Sequence, residues 1–316
     1  MIFKNTKTRS KHPGSIAVVN YKGGVGKTTA TALIGCFLAE KGCKVLLIDI
    51  DPQCSLSASL KADNEDISSK TNNIYELLHP QQWDKIGKTR ISDFIVNLNQ
   101  QRSPNYPENL FLIDGSFHLD DLDLDLAQQI GRKKEKFKIE LFMFLRQFLY
   151  KLKEYDFILV DCPPNKMFLT QGLVRASSYY LPVTIPDKLS TFGIPRLIRW
   201  IEEIKPKEDR PLMAGYLLNC INRSKGGMLR SQSEYALSLQ KMIIEILNPD
   251  EVNVIGGAPC IGEIPELDKV ARFLSGESWQ WPNYLGDSFS QQPSVKECLS
   301  VITSNLKSRI KKYEKQ

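Results

Sequence analysis

The stretch Asn20-Tyr21-Lys22-Gly23-Gly24-Val25-Gly26-Lys27-Thr28-Thr29 decides the fold, because it lies between a predicted strand and a predicted helix. Glycines in such a loop let backbone N–H groups approach phosphate oxygens without obstruction by side chains. Lys27 can place its charge beside the β- and γ-phosphates of a nucleotide, and the Thr28 hydroxyl can ligate Mg²⁺. The stretch therefore predicts a phosphate-binding loop.

Continuous apolar runs recur along the chain and alternate with stretches of helical length. Runs without polar alternation are typical of strands that are buried on both faces of a parallel sheet. The predicted strands are 16–19, 45–50, 110–113, 157–160, 180–185, 213–218 and 261–264, and the predicted helices are 28–41, 137–153, 189–204, 229–247 and 294–313. This alternation predicts a doubly wound α/β fold, in which helices flank a mostly parallel sheet.

The distribution of charged and apolar residues predicts one domain behind a short leader. Residues 1–14 contain four basic residues and no acidic one before Pro13-Gly14, which predicts a flexible basic leader. Residues 15–316 are interpreted as a single domain. Within this domain, the polar stretch 61–109 is interpreted as an insertion or side layer, and 294–313 as a C-terminal helix.

Composition excludes several classes of protein. The 316 residues include 42 Lys and Arg against 36 Asp and Glu, and the net charge of +6 permits a nucleic-acid partner without requiring one. The longest apolar runs are far shorter than the roughly 20 residues of a membrane span, and no N-terminal stretch reads as a secretion signal. The seven cysteines are scattered, which favours neither a disulfide framework nor a zinc site. We therefore expect a cytoplasmic protein.

Four motifs resemble those of the ParA/MinD ATPases. Lys-Gly-Gly-Val-Gly-Lys-Thr-Thr at 22–29 is the deviant Walker A motif of that family, with Tyr21 where the common motif begins with glycine. The stretch 45–53 resembles the second ParA motif, and 155–164 resembles the Walker B strand and its switch, although Asn165 then stands where Ser or Gly is usual. Ile261–Pro265 resembles the late strand and its Ile-Pro exit. The resemblance implies a P-loop NTPase fold with ATP and Mg²⁺ as cofactors.

Acidic residues follow two of the predicted strands. Asp161 closes a buried strand at the sheet edge where α/β proteins bind ligands, and its carboxylate can hold Mg²⁺ through water. Asp49 and Asp51 lie two apart, so both can reach the phosphate region. The resemblance implies that Asp51 positions the attacking water and that Asp49 lies near the metal, with bracing of the switch as the alternative for Asp49. The expected metal-site residues are Thr28, Asp49 and Asp161, and the expected catalytic residues are Lys22, Lys27 and Asp51.

The resemblance also implies how the nucleotide is held. Lys22 corresponds to the family's lysine that reaches across a dimer interface, which implies a homodimer that sandwiches two ATP molecules. Asn219 follows an apolar run and by resemblance reads the adenine edge, with Pro265 near the base, whereas a turn-forming role is the alternative for Asn219. The expected ATP-binding residues are Lys22, Gly23, Gly24, Val25, Gly26, Lys27, Thr28, Thr29, Asn219 and Pro265.

These features favour a ParA-type ATPase that positions or segregates a plasmid, a chromosome or another cargo. The ATP-bound dimer is expected to bind DNA non-specifically through Lys and Arg contacts to phosphate, and so to associate with the nucleoid. A small centromere-binding or adaptor protein is expected to stimulate its weak hydrolysis. The candidate DNA contacts are Arg230, Lys241, Lys269 and Arg272.

Two other functions use the same scaffold. A MinD-like ATPase that cycles on a membrane would need a lipid-binding C-terminal helix. The apolar stripe of 294–313 contains no Phe or Trp, and its basic residues lie beyond the stripe, which favours docking on the core. A metabolic ATP-dependent ligase or synthetase would need a substrate pocket, for which the sequence offers no motif.

Overall fold

One sheet forms the centre of the structure. The computed structural model describes residues 11–60, 72–85, 90–133, 135–204, 209–224, 227–247, 249–255, 258–266 and 294–315. Its strands are β1 (Ser15–Val19), β2 (Val45–Asp49), β3 (Val96–Asn97), β4 (Leu110–Ile113), β5 (Phe157–Asp161), β6 (Tyr179–Thr184), β7 (Leu212–Met213), β8 (Tyr216–Ile221), β9 (Arg223–Ser224), β10 (Gly227–Met228) and β11 (Cys260–Pro265). Nine of these strands form the sheet, in the order β11-β8-β6-β1-β5-β2-β4-β3 with β7 beside β6, and β9 and β10 form a separate pair.

Strand direction places several strand ends at the same edge. Neighbouring strands of the sheet run parallel, except for β3 with β4. The carboxyl ends of β1, β2 and β5 therefore lie side by side, and Asp49 at the end of β2 is the register partner of Asp161 at the end of β5. In parallel α/β sheets this edge is where ligands bind.

Helices cover both faces of the sheet. They are α1 (Lys27–Glu40), α2 (Ser55–Ser59), α3 (Ile74–Leu78), α4 (Leu98–Gln101), α5 (Leu119–Lys133), α6 (Glu135–Lys151), α7 (Phe168–Ala176), α8 (Lys188–Glu202), α9 (Arg230–Ile246), α10 (Pro249–Ile255) and α11 (Val295–Glu314), with 3₁₀ turns at Pro80–Lys85 and Ile91–Phe94. Within β1, Ile16 and Val18 pack on the face that α1 and α11 cover, whereas Ala17 and Val19 pack on the face of α5 to α9. The predicted doubly wound α/β fold is confirmed.

Two local features differ from the sequence-based prediction. The predicted strand 213–218 is broken into β7 and β8, because Gly215 takes a φ of +108° between them. Helices α2, α4, α5, α7 and α10 were not predicted. In α5 the Leu-Asp alternation of 121–125 obscures the helical period, although Leu122 and Leu126, four residues apart, are both buried.

The N-terminal segment is packed from residue 11 onward, so the predicted leader does not extend to residue 14. The Lys11 Nζ donates hydrogen bonds to the carbonyl oxygens of Ser177 at 2.9 Å and Asp209 at 2.8 Å. His12 is buried, and a Cβ on Gly14 would lie 1.9 Å from the carbonyl oxygen of Asp156. Burial lowers the pKa of Lys11 to about 7. Residues 1–10 lie outside the described residues.

The stretch 61–109 contributes short elements beside β4, the strand next to the edge. Its described part comprises α3, β3, α4 and two 3₁₀ turns, and β3 pairs antiparallel with β4. Ile74, Leu77 and Leu98 bury their side chains against the core. This stretch therefore extends the main domain at one side of the sheet.

The last helix, α11, docks on the core as predicted. The buried apolar residues of its stripe are Val295, Leu299, Ile302, Leu306 and Ile310. Arg309 is also buried and donates hydrogen bonds to the carbonyl oxygens of Ala214 and Pro259. Among the described residues, no helix combines the length and the apolar character that crossing a membrane requires.

We predict that Gly215→Ala will destabilise the protein more than Gly42→Ala. Both glycines have positive φ, but only at Gly215 would a Cβ clash, at 1.9 Å from the Arg309 Nη1 and 2.7 Å from the Pro259 carbonyl oxygen. Strain alone predicts a loss of about 1–2 kcal/mol at Gly42, and strain plus overpacking a loss of about 2–4 kcal/mol at Gly215. Urea unfolding measures both losses in the free energy of unfolding. Equal losses would contradict the close approach of Arg309 and Pro259 to Gly215.

Candidate functional site

The phosphate-binding loop connects β1 to α1 and is open to an anion. Gly24 and Gly26 take φ values of +72° and +84°, and no atom would lie within 4 Å of a Cβ at Gly23 or Gly24. Gly26 is the N-cap of α1 and has no side chain to accept the first-turn N–H groups, and no acidic residue lies in that turn. Exposed N–H groups and the helix dipole together favour a bound phosphate at this position.

Lys27 is buried and contacts the backbone of the same loop. Only 7% of the residue is exposed, and its Nζ donates to the Lys22 carbonyl oxygen at 3.3 Å. Burial lowers the pKa of Lys27, while Asp161, Cys162 and Asp51 act in the opposite direction. A buried ammonium beside exposed backbone N–H groups adds positive charge where the β- and γ-phosphates of a nucleotide would lie.

Thr28 and Asp161, two of the expected metal-site residues, meet at the base of the loop. The Thr28 hydroxyl donates to the Asp161 carboxylate at 2.8 Å, and the Thr31 hydroxyl donates to its other oxygen at 3.3 Å. A hydroxyl and a carboxylate are hard oxygen ligands that suit Mg²⁺, which binds few protein groups and keeps several waters. No cluster of three or more His, Cys, Asp or Glu side chains suited to a metal occurs in the part of the chain that the structure describes. The residues present therefore fit Mg²⁺ bound together with a nucleotide.

Asp49 and Asp161 form a buried pair of carboxylates. Both are 0% exposed at the ends of adjacent strands. Burial raises the pKa of Asp49 to about 7 and that of Asp161 to about 8, and repulsion between the two adds to the rise at Asp161. A cation at this edge would relieve the cost of ionising both groups.

The contacts of Asp49 favour the bracing role over direct metal binding. Its carboxylate accepts hydrogen bonds from the Ser57 backbone N–H at 2.9 Å, the Ser57 hydroxyl at 2.7 Å and the Asp51 backbone N–H at 3.1 Å. These bonds tie the segment after β2 to the strand end. Asp51 is only partly buried, lies within electrostatic range of Lys27 and Asp161, and accepts from the Gln53 N–H. Its role in positioning water stays a prediction.

Two contacts at this site were not predicted from the sequence. The Gly115 N–H donates to the Ser57 hydroxyl at 2.8 Å, and a Cβ on Gly115 would lie 3.0 Å from the Asp49 carboxylate. Beside it, Arg102 donates to both carboxylate oxygens of Asp114, at 2.6 and 2.7 Å. The signal was available, because Asp114 and Gly115 directly follow the apolar run 110–113 and so lie at the same sheet edge.

The Lys22 side chain contacts the start of α8. Its Nζ lies 2.8 Å from the Asp187 carboxylate and 3.0 Å from the Ser190 hydroxyl. Asp187 also caps α8, because its other oxygen accepts the Ser190 N–H at 2.7 Å. Burial opposes the ionisation of Asp187, but hydrogen bonds from Lys22 and Ser190 lower its pKa overall. The side chains of Lys22 and Asp187 are 36% and 38% exposed, and an ion pair this exposed contributes at most about 1 kcal/mol.

Asn219 lies inside β8 and not at its end, which corrects the sequence-based placement. It is 3% exposed, and its Nδ2 donates to the Val25 carbonyl oxygen at 2.9 Å. A Cβ on Gly26 would lie 1.9 Å from the same nitrogen. Asn219 therefore holds the phosphate-binding loop, while contacts of Asn219 and Pro265 with adenine stay predictions.

The DNA candidates have different placements. Arg230 and Lys241 are exposed on α9, and Arg230 pairs with Glu234 at 3.1 Å. Lys269 and Arg272 lie outside the described residues. No contact of the described candidates links them to the phosphate-binding loop, so their assignment depends on charge alone.

Comparison with known proteins identifies relatives of this chain. A family model described as an AAA domain matches residues 14–213. The chromosome-partitioning ATPase Soj of Treponema pallidum is 30% identical over 203 residues, which cover 64% of this chain and 68% of Soj, and two uncharacterized Mycobacterium tuberculosis proteins are matched over 56% of their length.

Solved structures share the fold. Cyanothece apo McdA superposes with a TM-score of 0.70 at 16% identity, covering 93% of this chain and 99% of McdA. The cobyrinic acid a,c-diamide synthase of Mycobacterium smegmatis, solved with an ATP analog and magnesium, superposes with a TM-score of 0.57 at 25% identity, covering 72% of this chain and 82% of the synthase. The fold and the loop thus define a P-loop nucleotide-binding protein. The chain belongs to the ParA/MinD family of deviant Walker A ATPases.

We predict that the nucleotide-free protein loses stability as the pH rises from 5 to 8, and that Asp161→Asn flattens this loss. Burial raises the pKa of the adjacent Asp49 and Asp161 carboxyls, so the folded pair retains a proton that the unfolded chain releases near pH 4, and folding binds a proton across this interval. For one proton, the free energy of unfolding falls by about 1.4 kcal/mol for each pH unit. Urea unfolding at several pH values tests this, with Asp125→Asn as a control for removing an exposed carboxylate. If the stability of the parent and of Asp161→Asn changes with pH in the same way, the result would count against a raised pKa of Asp161.

Proposed function

We propose that this ParA-like positioning ATPase hydrolyses ATP with Mg²⁺ as an ATP-sandwich dimer, binds DNA non-specifically, and positions or segregates a plasmid, a chromosome or another cargo. The observation that carries the proposal is the divergence of two lysines at one loop. Lys27 is buried and its Nζ contacts the backbone of the loop, whereas the Lys22 side chain is partly exposed and contacts Asp187 at the start of α8. One lysine suffices to hold the bound phosphates, so the second is suited to another nucleotide.

The residues of the loop account for nucleotide binding and for slow hydrolysis. The backbone N–H groups of 23–29 and the Lys27 ammonium would hold the phosphates, and Thr28 and Asp161 would hold Mg²⁺. When bound, Mg²⁺ neutralises charge on the phosphate oxygens. Asp51 orients the attacking water. Without a charge supplied by a second chain, such a site hydrolyses ATP slowly.

Lys22 can leave its present contacts at little cost. Its ion pair with Asp187 is exposed enough to contribute at most about 1 kcal/mol. A charge-assisted bond to a phosphate in a closed interface is stronger, because the local dielectric is lower there. The partner chain's nucleotide therefore competes favourably for this lysine, and dimer closure depends on bound ATP.

Between DNA and a lipid membrane, DNA is the partner that better fits the charge distribution of this chain. The chain carries a net charge of +6, and a dimer doubles it. Arg230 and Lys241 lie exposed on one helix, which supports a phosphate-contacting face. The apolar stripe of α11 is buried against the core, which leaves it unavailable to lipid. A small centromere-binding or adaptor protein then stimulates hydrolysis and releases the dimer from the nucleoid.

We predict that Lys22→Ala and Asp51→Ala separate dimer formation from hydrolysis. Asp51→Ala should bind ATP and accumulate as a dimer, because closure does not need the attacking water. Lys22→Ala should bind ATP and remain a monomer, because its contact lies across the interface. Sedimentation with ATP distinguishes the two, and Lys27→Ala, which should lose nucleotide binding altogether, serves as the control. Identical behaviour of the first two variants would count against the sandwich.

We predict that ATP, and not ADP, switches on binding to arbitrary duplex DNA. Two phosphate-contacting faces on one rigid dimer raise affinity through effective concentration, and each neutralised phosphate releases counterions, so binding should fall steeply with salt. Gel shifts with unrelated fragments at two salt concentrations, beside flotation with anionic liposomes, measure this. Flotation without a DNA shift would favour a membrane-cycling ATPase. If the protein shows neither flotation nor a DNA shift, the result would favour a metabolic ligase like the cobyrinic acid synthase.

A further inference from the structure

The loop that follows Asp161 contacts the start of the phosphate-binding loop through one lysine. We define the switch loop as residues 162–167, between β5 and α7. Its residues 164 to 166 are exposed, yet the Lys166 Nζ lies 4.6 Å from the ring centroid of Tyr21 and 5.8 Å from that of Trp200 on α8. Both distances fall within the range of cation–π attraction.

The two rings form a fixed support for this ammonium. Tyr21 and Trp200 meet edge to face, with centroids 6.2 Å apart. Burial raises the pKa of the Tyr21 phenol, so the ring stays neutral and keeps its electron-rich face. Tyr21 is anchored through its neighbours, because the Asn20 side chain accepts the Lys22 N–H at 2.9 Å and donates to the Val183 carbonyl oxygen at 2.7 Å.

The switch loop is also held by backbone hydrogen bonds, one of which is donated by the Gln171 Nε2 to the Lys166 carbonyl oxygen at 2.8 Å. At the start, the Cys162 N–H donates to the Val18 carbonyl oxygen at 3.3 Å. At the other end, the Leu169 N–H in α7 donates to the Asp123 carboxylate at 2.9 Å. Lys166 is thus the side chain that joins the exposed middle of the loop to the nucleotide-binding loop itself.

Resting on the proposed ATPase function, we infer that Lys166 is a positioning residue for hydrolysis, which acts by holding the switch loop against Tyr21 and Trp200. The switch loop directly follows Asp161, the carboxylate of the expected metal site. Its Lys166 contacts Tyr21 at the start of the phosphate-binding loop. When the switch loop is held in one position, the groups around the attacking water stay correctly aligned. Misplacement of such groups lowers the rate of the chemical step.

Binding of ATP does not use this clamp. The backbone N–H groups of 23–29, the Lys27 ammonium and the Thr28 hydroxyl would hold the phosphates, and Lys166 contacts none of them in the described structure. Loss of the clamp should therefore lower kcat and leave the dissociation constant for ATP unchanged. The strength of an exposed cation–π contact corresponds to a loss of about two- to fivefold.

The test compares Lys166→Gln, which removes the cation, with Lys166→Arg, which retains it. Lys166→Gln should lower kcat about two- to fivefold with an unchanged dissociation constant for ATP, and Lys166→Arg should restore the parental rate. Tyr21→Leu should cause the same loss, Tyr21→Phe should not, and Tyr21→Leu combined with Lys166→Gln should be no worse than either alone. Arg199→Gln, which removes an exposed cation beside Trp200, is the matched control.

A second measurement needs no hydrolysis. In a nucleotide-free variant whose other three tryptophans, Trp83, Trp279 and Trp281, are replaced by Phe, acrylamide quenching of the Trp200 emission should increase with Lys166→Gln. With Lys166→Arg, the quenching should stay at the value found without a substitution at Lys166. Parental quenching or parental kcat in Lys166→Gln would overturn the inference, as would equal effects of Gln and Arg or a weakened affinity for ATP. If the parent hydrolyses no ATP, the proposed function fails on its own, and with it the role of Lys166 in hydrolysis.

Discussion

Two carboxylates buried side by side are the constraint around which this site is arranged. Asp49 and Asp161 lie at register positions on adjacent strands, fully shielded from water. Water cannot solvate their charge, so the protein surrounds them with donors: hydroxyls from α1 on Asp161, and the N–H and hydroxyl of Ser57 on Asp49. The N-terminus of α1 and Lys27 add positive charge on the same side. This arrangement makes a cation–phosphate pair the ligand that best completes the site.

The same constraint explains why the segment after β2 is held so firmly. Asp49 accepts a hydrogen bond from Ser57, Ser57 accepts one from the Gly115 N–H, and a Cβ on Gly115 would lie only 3.0 Å from the Asp49 carboxylate. A substitution at Gly115 would thus press on the carboxylate pair from the neighbouring strand β4. The position of Asp51, two residues beyond Asp49, depends on this chain of contacts, since its own backbone N–H donates to Asp49.

The fold was predictable from the sequence because its strands are continuous apolar runs with local turn signals between them. The placement of Asp49 and Asp161 beside the loop after β1 was predictable for the same reason, because strand ends of a parallel sheet meet at one edge. What could not be predicted depends on contacts between distant parts of the chain. Arg309 bonds to Ala214 and Pro259, Asn219 bonds to Val25, and Lys11 bonds to Ser177 and Asp209. No local pattern encodes these pairs.

The two carboxylate oxygens of Asp187 have different main partners, and the difference affects how fast Lys22 can move. One oxygen caps α8 by accepting the Ser190 N–H, while the other holds the Lys22 ammonium. If Lys22 departs, the cap remains, so α8 keeps its first turn and no backbone bond breaks. Exchange of Lys22 between Asp187 and another anion is then a rotation of a partly exposed side chain, a motion of picoseconds to nanoseconds. The slow steps of any cycle that uses this lysine must lie elsewhere, in the meeting of two chains or in the chemistry.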